Sequence, residues 1–398
     1  MKAIVLAGGA DQIALIHELK NKNYETILID YYDNPVAKFF ADKHIVADTL
    51  DIEKVKNITK YEKVDLIITA CTDQALLTMA KASEELNLPC YISYETALNV
   101  TNKLHMKQLL KSNNIPTADY LIIKNNELYH NLNYPLVVKP ADCNSSKGVI
   151  KCINKNELND ALTNAINYSR TKTAIVEEYK FGKEISVDFF VNNGEAIFLC
   201  ATSTMKKKNS NTFTITQSYY PILTEEQETI VKNIGQNIVN AFKLVNTPLL
   251  IQLILTEQNE FFVLEFSARM GGGSKYKLIE VLTGLNIMKI YVDFILNHEY
   301  NIKTKKRINY ASMNYIYCYN GIFNKLLNFD DLIYFQYKSI GTEIKKSETS
   351  SDRVAGFLLT ADTHDELIIK TNEINKKIKV LDNFGNDIAR HDLIEETL

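Results

Sequence analysis

No apolar stretch in this 398-residue sequence approaches the roughly 18 residues needed to span a bilayer, so no transmembrane helix is expected. A basic excess is missing too. The net charge of −3 leaves no footprint for nucleic acid and no polybasic face for a membrane. Short clusters such as Lys206-Lys207-Lys208 and residues 303–307 fit solvated loops or a phosphate contact better than a nucleic-acid patch. The six cysteines (71, 90, 143, 152, 200 and 318) include no CxxC pair and no metal-ligand spacing. Most lie in apolar stretches, where a reduced thiol behaves as a small hydrophobe. No internal repeat, low-complexity tract or long linker is evident. The opening MKAIVLAGGAD has a lysine and a brief apolar run but no cleavage pattern, so a first β-strand is expected there instead of a signal peptide. These absences point to a soluble, cytoplasmic protein with neither nucleic acid nor membrane as partner.

What is present reads first as alternating strands and helices. KAIVLAG, YETILID, a short strand within AKFFADKHIVAD, VDLIITA and LPCYIS are expected strands. Helices over 12–21, 52–63 and 76–86 separate them, which predicts a parallel, doubly wound sheet over residues 1–100. Ligands bind beyond the carboxyl ends of such strands, where Gly8-Gly9 and Asp30 lie. A nicotinamide site is the tempting inference, but Ala10-Asp11-Gln12 follows the two glycines and the third glycine of GxGxxG is missing. A tight turn with a polar helix start is the preferred reading.

Residues 249–274, LLIQLILTEQNEFFVLEFSARMGGGS, carry the most information. Two apolar runs flank Gln258-Asn259, a polar pair suited to a tight hairpin turn. With that turn, Gln252 faces Glu265 across the ladder, with Cβ atoms roughly 5 Å apart. An unpaired carboxylate among apolar neighbours would cost several kcal/mol. A hard cation between the two would remove that penalty, and Mg²⁺ takes one or two protein oxygens plus nucleotide phosphates. Alternation sets Ser267 and Arg269 on the same face as Glu265. The competing reading is an edge strand with one solvated face.

Upstream, Lys139 ends the strand PLVVK before the loop ADCNSSKGV. An ammonium there can sit on phosphate oxygens while backbone N–H groups close over them. In VEEYKFGKEISVD a strand ending at Glu177-Glu178-Tyr179 offers the alternating acceptor and donor pattern that an adenine edge needs. Glu184 on the next strand could take ribose hydroxyls, with Ser186 and Asp188 on its face. Two acidic strand ends on an ordinary surface are the alternative.

Together these motifs resemble the ATP-grasp superfamily, in the carboxylate–amine ligase branch that also holds biotin carboxylase, the carbamoyl-phosphate synthetase large chain and L-amino-acid ligases. The resemblance spans roughly residues 1–300. It implies an α/β chain with a pre-ATP-grasp domain over 1–100, an ATP-grasp domain over 101–300 and a small α+β C-terminal lobe over 301–398. It further implies that Lys103 and Lys139 bind phosphates of ATP and that 144–148, with Ser145, Ser146 and Gly148, is the flexible phosphate loop. Glu177 would take the adenine amine, with backbone contacts at Glu178, Tyr179 and Lys180, and Glu184 the ribose. Gln252 and Glu265 would hold Mg²⁺ (or Mn²⁺), and Arg269 would brace an acyl phosphate. The family's Glu-x-Asn-x-Arg motif reads Glu265-Phe266-Ser267-Ala268-Arg269 here, a departure that weakens Ser267 as a ligand.

The reaction so implied is ATP-dependent joining of a carboxylic acid to an amine through an acyl phosphate, releasing ADP and phosphate. Loops 140–148 and 205–218 are the lid candidates. Gly272 and Gly273 would let backbone approach a small substrate closely, or would simply form a flexible turn. Arg353 in SETSSDRVAGF could reach a substrate carboxylate, although an ordinary surface arginine is the commoner case. A silent ATP-binding regulator is the first alternative, and a carboxylating or carbamoylating enzyme the second. The latter is disfavoured by the lack of a biotinyl Met-Lys-Met sequence and of a duplicated second half. Apolar faces in the first hundred residues would suit a homodimer.

Overall fold

The computed structural model describes residues 1–124, 131–143, 148–206, 214–297, 300, 302–345 and 349–395. At the N-terminal end four short apolar strands pair in parallel, in the spatial order Lys43–Val46, Glu25–Asp30, Lys2–Leu6, Leu66–Ile68. Helices Asp11–Asn21, Ile52–Glu62 and Asp73–Leu86 connect or flank them. The expected fifth strand is not formed; residues 88–93 run as irregular chain. Asn87 ends the preceding helix in a left-handed conformation (φ 54°), and Pro89 has no N–H to give a ladder. Tyr91 spends its hydroxyl on the Ala268 carbonyl, 2.8 Å away, tying this segment to the far end of the hairpin.

Two antiparallel sheets build the cleft. One runs Tyr120–Ile123, Ala174–Glu178, Leu136–Pro140, Ile150–Cys152, with helix Lys155–Tyr168 packed against it. The other runs Glu195–Ser203, Lys183–Asn192, Thr247–Leu255, Phe261–Ser267. Behind this second sheet lies helix Glu225–Phe242. Thr224 and Gln227 close a capping box at its start, three glutamates in the first turn complement the dipole, and Lys243 ends it left-handed. It buries Val231, Ile234, Ile238, Val239 and Phe242, one apolar stripe at helical spacing. Gly235 lies on the same stripe, where a Cβ would stand 2.6 Å from the Phe189 ring; only a bare Cα lets helix and sheet come this close.

The strand Ile215–Tyr220, from mid-chain, pairs with Tyr310–Ile316. It thereby enters a five-stranded sheet with Ala355–Ala361 and Ile333–Gln336, against which helix His364–Lys377 packs. One contiguous apolar core joins Ile4 and Leu6 of the first sheet to Val187, Ile251 and Phe266 of the central one. Among the described residues no helix is long and apolar enough to cross a membrane.

Candidate active site

Gln252 and Glu265 do oppose each other across the hairpin, but by a different route from the expected one. The turn is not the pair Gln258-Asn259. The loop covers 256–260, closed by the Thr256 N–H on the Glu260 carbonyl at 2.9 Å, with Asn259 left-handed at φ 62°. Counting outward from that loop pairs Leu253 with Val263 and would leave Gln252 facing Leu264. A β-bulge there absorbs one residue, so Gln252 meets Glu265 after all. Leu264 and Glu265 both line the cleft, an apolar side chain beside a carboxylate.

On the other flank, strand Lys183–Asn192 sets Ser186 beside Gln252, Glu184 beside Ile254 and Asp188 beside Leu250. Glu184 and Ser186 line the same cleft of about 1320 Å³. The Glu184 carboxylate accepts the Lys206 ammonium. Asp188 is buried against Lys275, 3.6 Å away, and burial pushes its carboxyl up despite that partner. Lys275 also donates to Thr202.

The two expected phosphate lysines converge from opposite sides. Lys103 opens helix Lys103–Ser112, whose N-cap is Asn102, and its ammonium lies 2.8 Å from the Cys143 carbonyl and 3.2 Å from Glu265. Lys139 lies 2.7 Å from Glu177, and a third lysine, Lys107, reaches the same oxygen at 3.1 Å. So Glu177, expected at the adenine amine, is buried between two ammonium groups. Burial opposes ionisation of Glu177, yet Lys107 and Lys139 outweigh it and hold the carboxyl below its usual range. Glu265 is held down in the same way by Lys103 and Lys139. Burial prevails at Lys107, whose ammonium falls to about 8. The sequence carried a signal for Lys107: it stands four residues after Lys103, on the same helix face.

Glu178 holds Lys180 at 3.2 Å and accepts the Asn133 N–H, while the Tyr179 N–H is used by the Pro135 carbonyl. All three residues from Glu178 to Lys180 line the cleft. Gly148 is left-handed (φ 71°) and packs against Pro140; Ser145 and Ser146, with most of the expected phosphate loop, lie outside the described residues.

Arg269 is clamped by Asp73, a residue that belongs to none of the sequence motifs. Asp73, at the start of its helix, accepts from Arg269 Nε at 2.8 Å and from a terminal nitrogen at 2.7 Å. Burial opposes the charge of Asp73, but Arg269 keeps its carboxyl below the usual range. Ser267 donates to the same carboxylate. Asp73 follows the carboxyl end of a parallel strand, where ligand-handling residues collect in such sheets, and that placement was a usable signal.

Gly272 lines the cleft, whereas Gly273 gives its N–H to Asp11 at 3.1 Å and its carbonyl to Tyr315 at 3.0 Å. Arg353 is not an ordinary surface arginine. It lines the cleft, its guanidinium 3.7 Å from the Tyr315 ring centroid and its Nε 3.3 Å from the Tyr317 hydroxyl. Among the described residues no carboxylate lies within ion-pair distance of it. The bare Gly273 makes that seat, since a Cβ would stand 2.6 Å from the guanidinium.

No group of three His, Cys, Asp or Glu able to enclose a metal occurs among the described residues. The Gln252–Glu265 pair suits a different donor set, with one carboxylate and one amide completed by phosphate oxygens and water, which is how Mg²⁺ is usually held.

Comparison with known proteins places part of this chain in a family. The ATP-grasp domain family matches residues 132–277. Formate-dependent phosphoribosylglycinamide formyltransferase of Sulfurisphaera tokodaii is 28% identical over 198 residues, 47% of this chain and 49% of that protein. The L-arginine-specific L-amino acid ligase of Bacillus subtilis is 26% identical over 265 residues, 62% of each chain. The matched region thus spans about half of the first relative's length and under two thirds of the second's. Among solved structures, the biotin carboxylase domain dimer of Hydrogenobacter thermophilus 2-oxoglutarate carboxylase, in complex with MgADP and bicarbonate, has a TM-score of 0.82. It covers 99% of this chain and 92% of that one at 16% identity, a likeness of fold alone. Residues 132–277 are an ATP-grasp domain.

Proposed function

We propose that this protein is an ADP-forming carboxylate–amine ligase: it transfers the γ-phosphoryl group of ATP to a carboxylic acid and passes the acyl group to an amine. One observation carries the reading. Lys103, Lys139, Gln252, Glu265 and Arg269 all line a single cleft large enough for a nucleotide and a second small molecule. A carboxylate is a poor electrophile, and phosphorylation turns it into a mixed anhydride that an amine can attack. Two anions must be held together for that step, which is the use of two lysines and an arginine on facing walls.

Each part follows from its surroundings. Lys103 and Lys139 take the phosphates, and Glu177 with Lys107 beneath them fixes where Lys139 points. Glu178, Tyr179 and Lys180 border the adenine, Leu264 offers it an apolar face, and Glu184 takes the ribose. Gln252 and Glu265 would hold Mg²⁺, which when bound supplies positive charge to the phosphate oxygens. Arg269 stabilises charge developing on the transferred group. Arg353, seated on Tyr315 beyond Gly272, takes an anionic group of a substrate. We divide the chain into 1–100, 101–300 and 301–398, the last part supplying Arg353. Exposed Tyr31, Tyr32 and Phe39 in the first part would suit a homodimer contact, which sedimentation would test.

The test of function is ADP and phosphate release with Mg²⁺ while pooled acids are screened against pooled amines. Release that needs both an acid and an amine is expected. Nucleotide bound but never hydrolysed in any pool would favour a regulator, and release requiring bicarbonate without an amine would favour a carboxylase.

A further inference from the structure

Serine stands where the superfamily motif has asparagine, and its surroundings give it a different task. The Ser267 hydroxyl donates to Asp73, and the residue is only 9% exposed and does not line the cleft. Asp73 and Arg269 do line it. Asp73 belongs to the N-terminal sheet region, 196 residues from Arg269 in sequence, yet it meets that guanidinium through two parallel hydrogen bonds of 2.8 and 2.7 Å. A third guanidinium hydrogen is taken by the Met270 carbonyl at 2.8 Å. Of the five N–H groups an arginine carries, two remain for a ligand, and both lie in a plane fixed by Asp73.

We infer that Asp73 is the positioning residue for Arg269, and that Ser267 serves this contact and not the metal ion. The inference rests on the ligase reading for what Arg269 does, but not for how it is held. A bidentate carboxylate fork fixes both the plane and the direction of a guanidinium. A long side chain held in this way need not be ordered when charge develops on the substrate, which is the condition for electrostatic preorganisation. Ser267 adds a second tie to the same carboxylate oxygen, so Asp73 has little freedom to rotate away. The chain has in effect moved the residue at this position from the metal side of the hairpin to the arginine side. It leaves Gln252, Glu265 and ligand oxygens as the donors available to a cation.

The test uses two readouts that need no turnover. Labelling of Arg269 by phenylglyoxal, followed by peptide mass spectrometry and normalised to exposed Arg170, reports how firmly the guanidinium is held. Titration calorimetry with Mn²⁺ and ADP reports the metal–nucleotide site. Asp73→Asn should speed labelling of Arg269 by about tenfold and Ser267→Ala by about threefold, in line with loss of charged and neutral hydrogen bonds. Both variants should keep their Mn²⁺–ADP affinity within about twofold of the parent. Once a substrate pair is in hand, both should lower kcat while the KM for ATP stays put. A tenfold or greater loss of Mn²⁺–ADP affinity in Ser267→Ala would make the serine a metal ligand and overturn the inference. Unchanged labelling of Arg269 in both variants would overturn it equally. If Asp73→Asn does not fold, Ser267→Ala decides both arms alone. Failure of the ligase reading would show separately, as an unmodified protein that never turns over.

Discussion

The two ends of the cleft handle charge in opposite ways. At the proposed nucleotide end Lys103, Lys139 and Lys206 are each held against a carboxylate: Glu265, Glu177 and Glu184. At the proposed acceptor end Arg353 packs on tyrosines, and among the described residues no carboxylate lies within ion-pair distance of it, although buried Asp11 is near enough to feel its charge. The first arrangement gives each lysine a carboxylate, Glu177 serving both Lys139 and Lys107, so the empty protein folds without an unpartnered buried charge, and an arriving nucleotide must exchange partners with groups already satisfied. The second keeps a cation on an aromatic face, a weaker substitute for an anion, and is completed only by a ligand. One end is built to trade and the other to receive.

Glu265→Gln should strike hardest, because it removes the metal-side carboxylate and leaves Lys103 buried without its acid. Mg²⁺-dependent ADP release should fall by about a thousandfold or more; a rate near that of the parent would break the nucleotide half of the comparison. Arg269→Ala, between the two ends, should lower kcat by at least about a hundredfold with little change in the KM for ATP. Equal losses in both would mean that it only positions nucleotide.

Arg353→Met sharpens the contrast. It should raise the KM of the anionic substrate by about ten- to a hundredfold and leave that for ATP alone. Because its removal breaks no ion pair among the described residues, the melting temperature should drop little. Glu177→Gln, by contrast, strands two lysines and should destabilise the fold by about 3 kcal/mol in chemical denaturation. If both variants melt alike, the two ends do not differ as described.

The smallest effect is a pH dependence. The Lys107 ammonium lies near 8 in the fold and near 10.4 when exposed. The folded state therefore binds fewer protons between those values, and stability should rise with pH across that window. Over the same range Glu177 is left to Lys139 alone, so the KM for ATP should climb by about threefold. Lys107→Arg, charged throughout, should flatten both curves.

Much of this could be read from residue order. Alternating apolar runs gave the parallel sheet, and Lys139, Glu184, Gln252, Glu265 and Arg269 stand on strands or strand ends whose periodicity is plain. What escaped depended on contacts between distant segments. Asp73 touches Arg269 only because the first sheet packs under the hairpin, and no local pattern encodes that. The fifth strand failed because LPCYIS has a strand composition, but Pro89 and the pull of Ala268 on Tyr91 decide otherwise. The hairpin register was right only because two miscounts cancelled: a longer loop and a bulge at Leu264. Arg353 reads as a surface residue until Tyr315, Tyr317 and Gly273 are brought around it.

Gly235 faces the Phe189 ring from the back of the central sheet. Phe189 is in the strand that carries Ser186 and Asp188, and that strand pairs directly with the one bearing Gln252. A single added methyl would therefore press on the floor of the cleft from outside it. Such a variant would bind its substrates at unaltered side chains and still misplace them, so an inherited change at a residue remote from all chemistry would pass for a lesion of the active site itself.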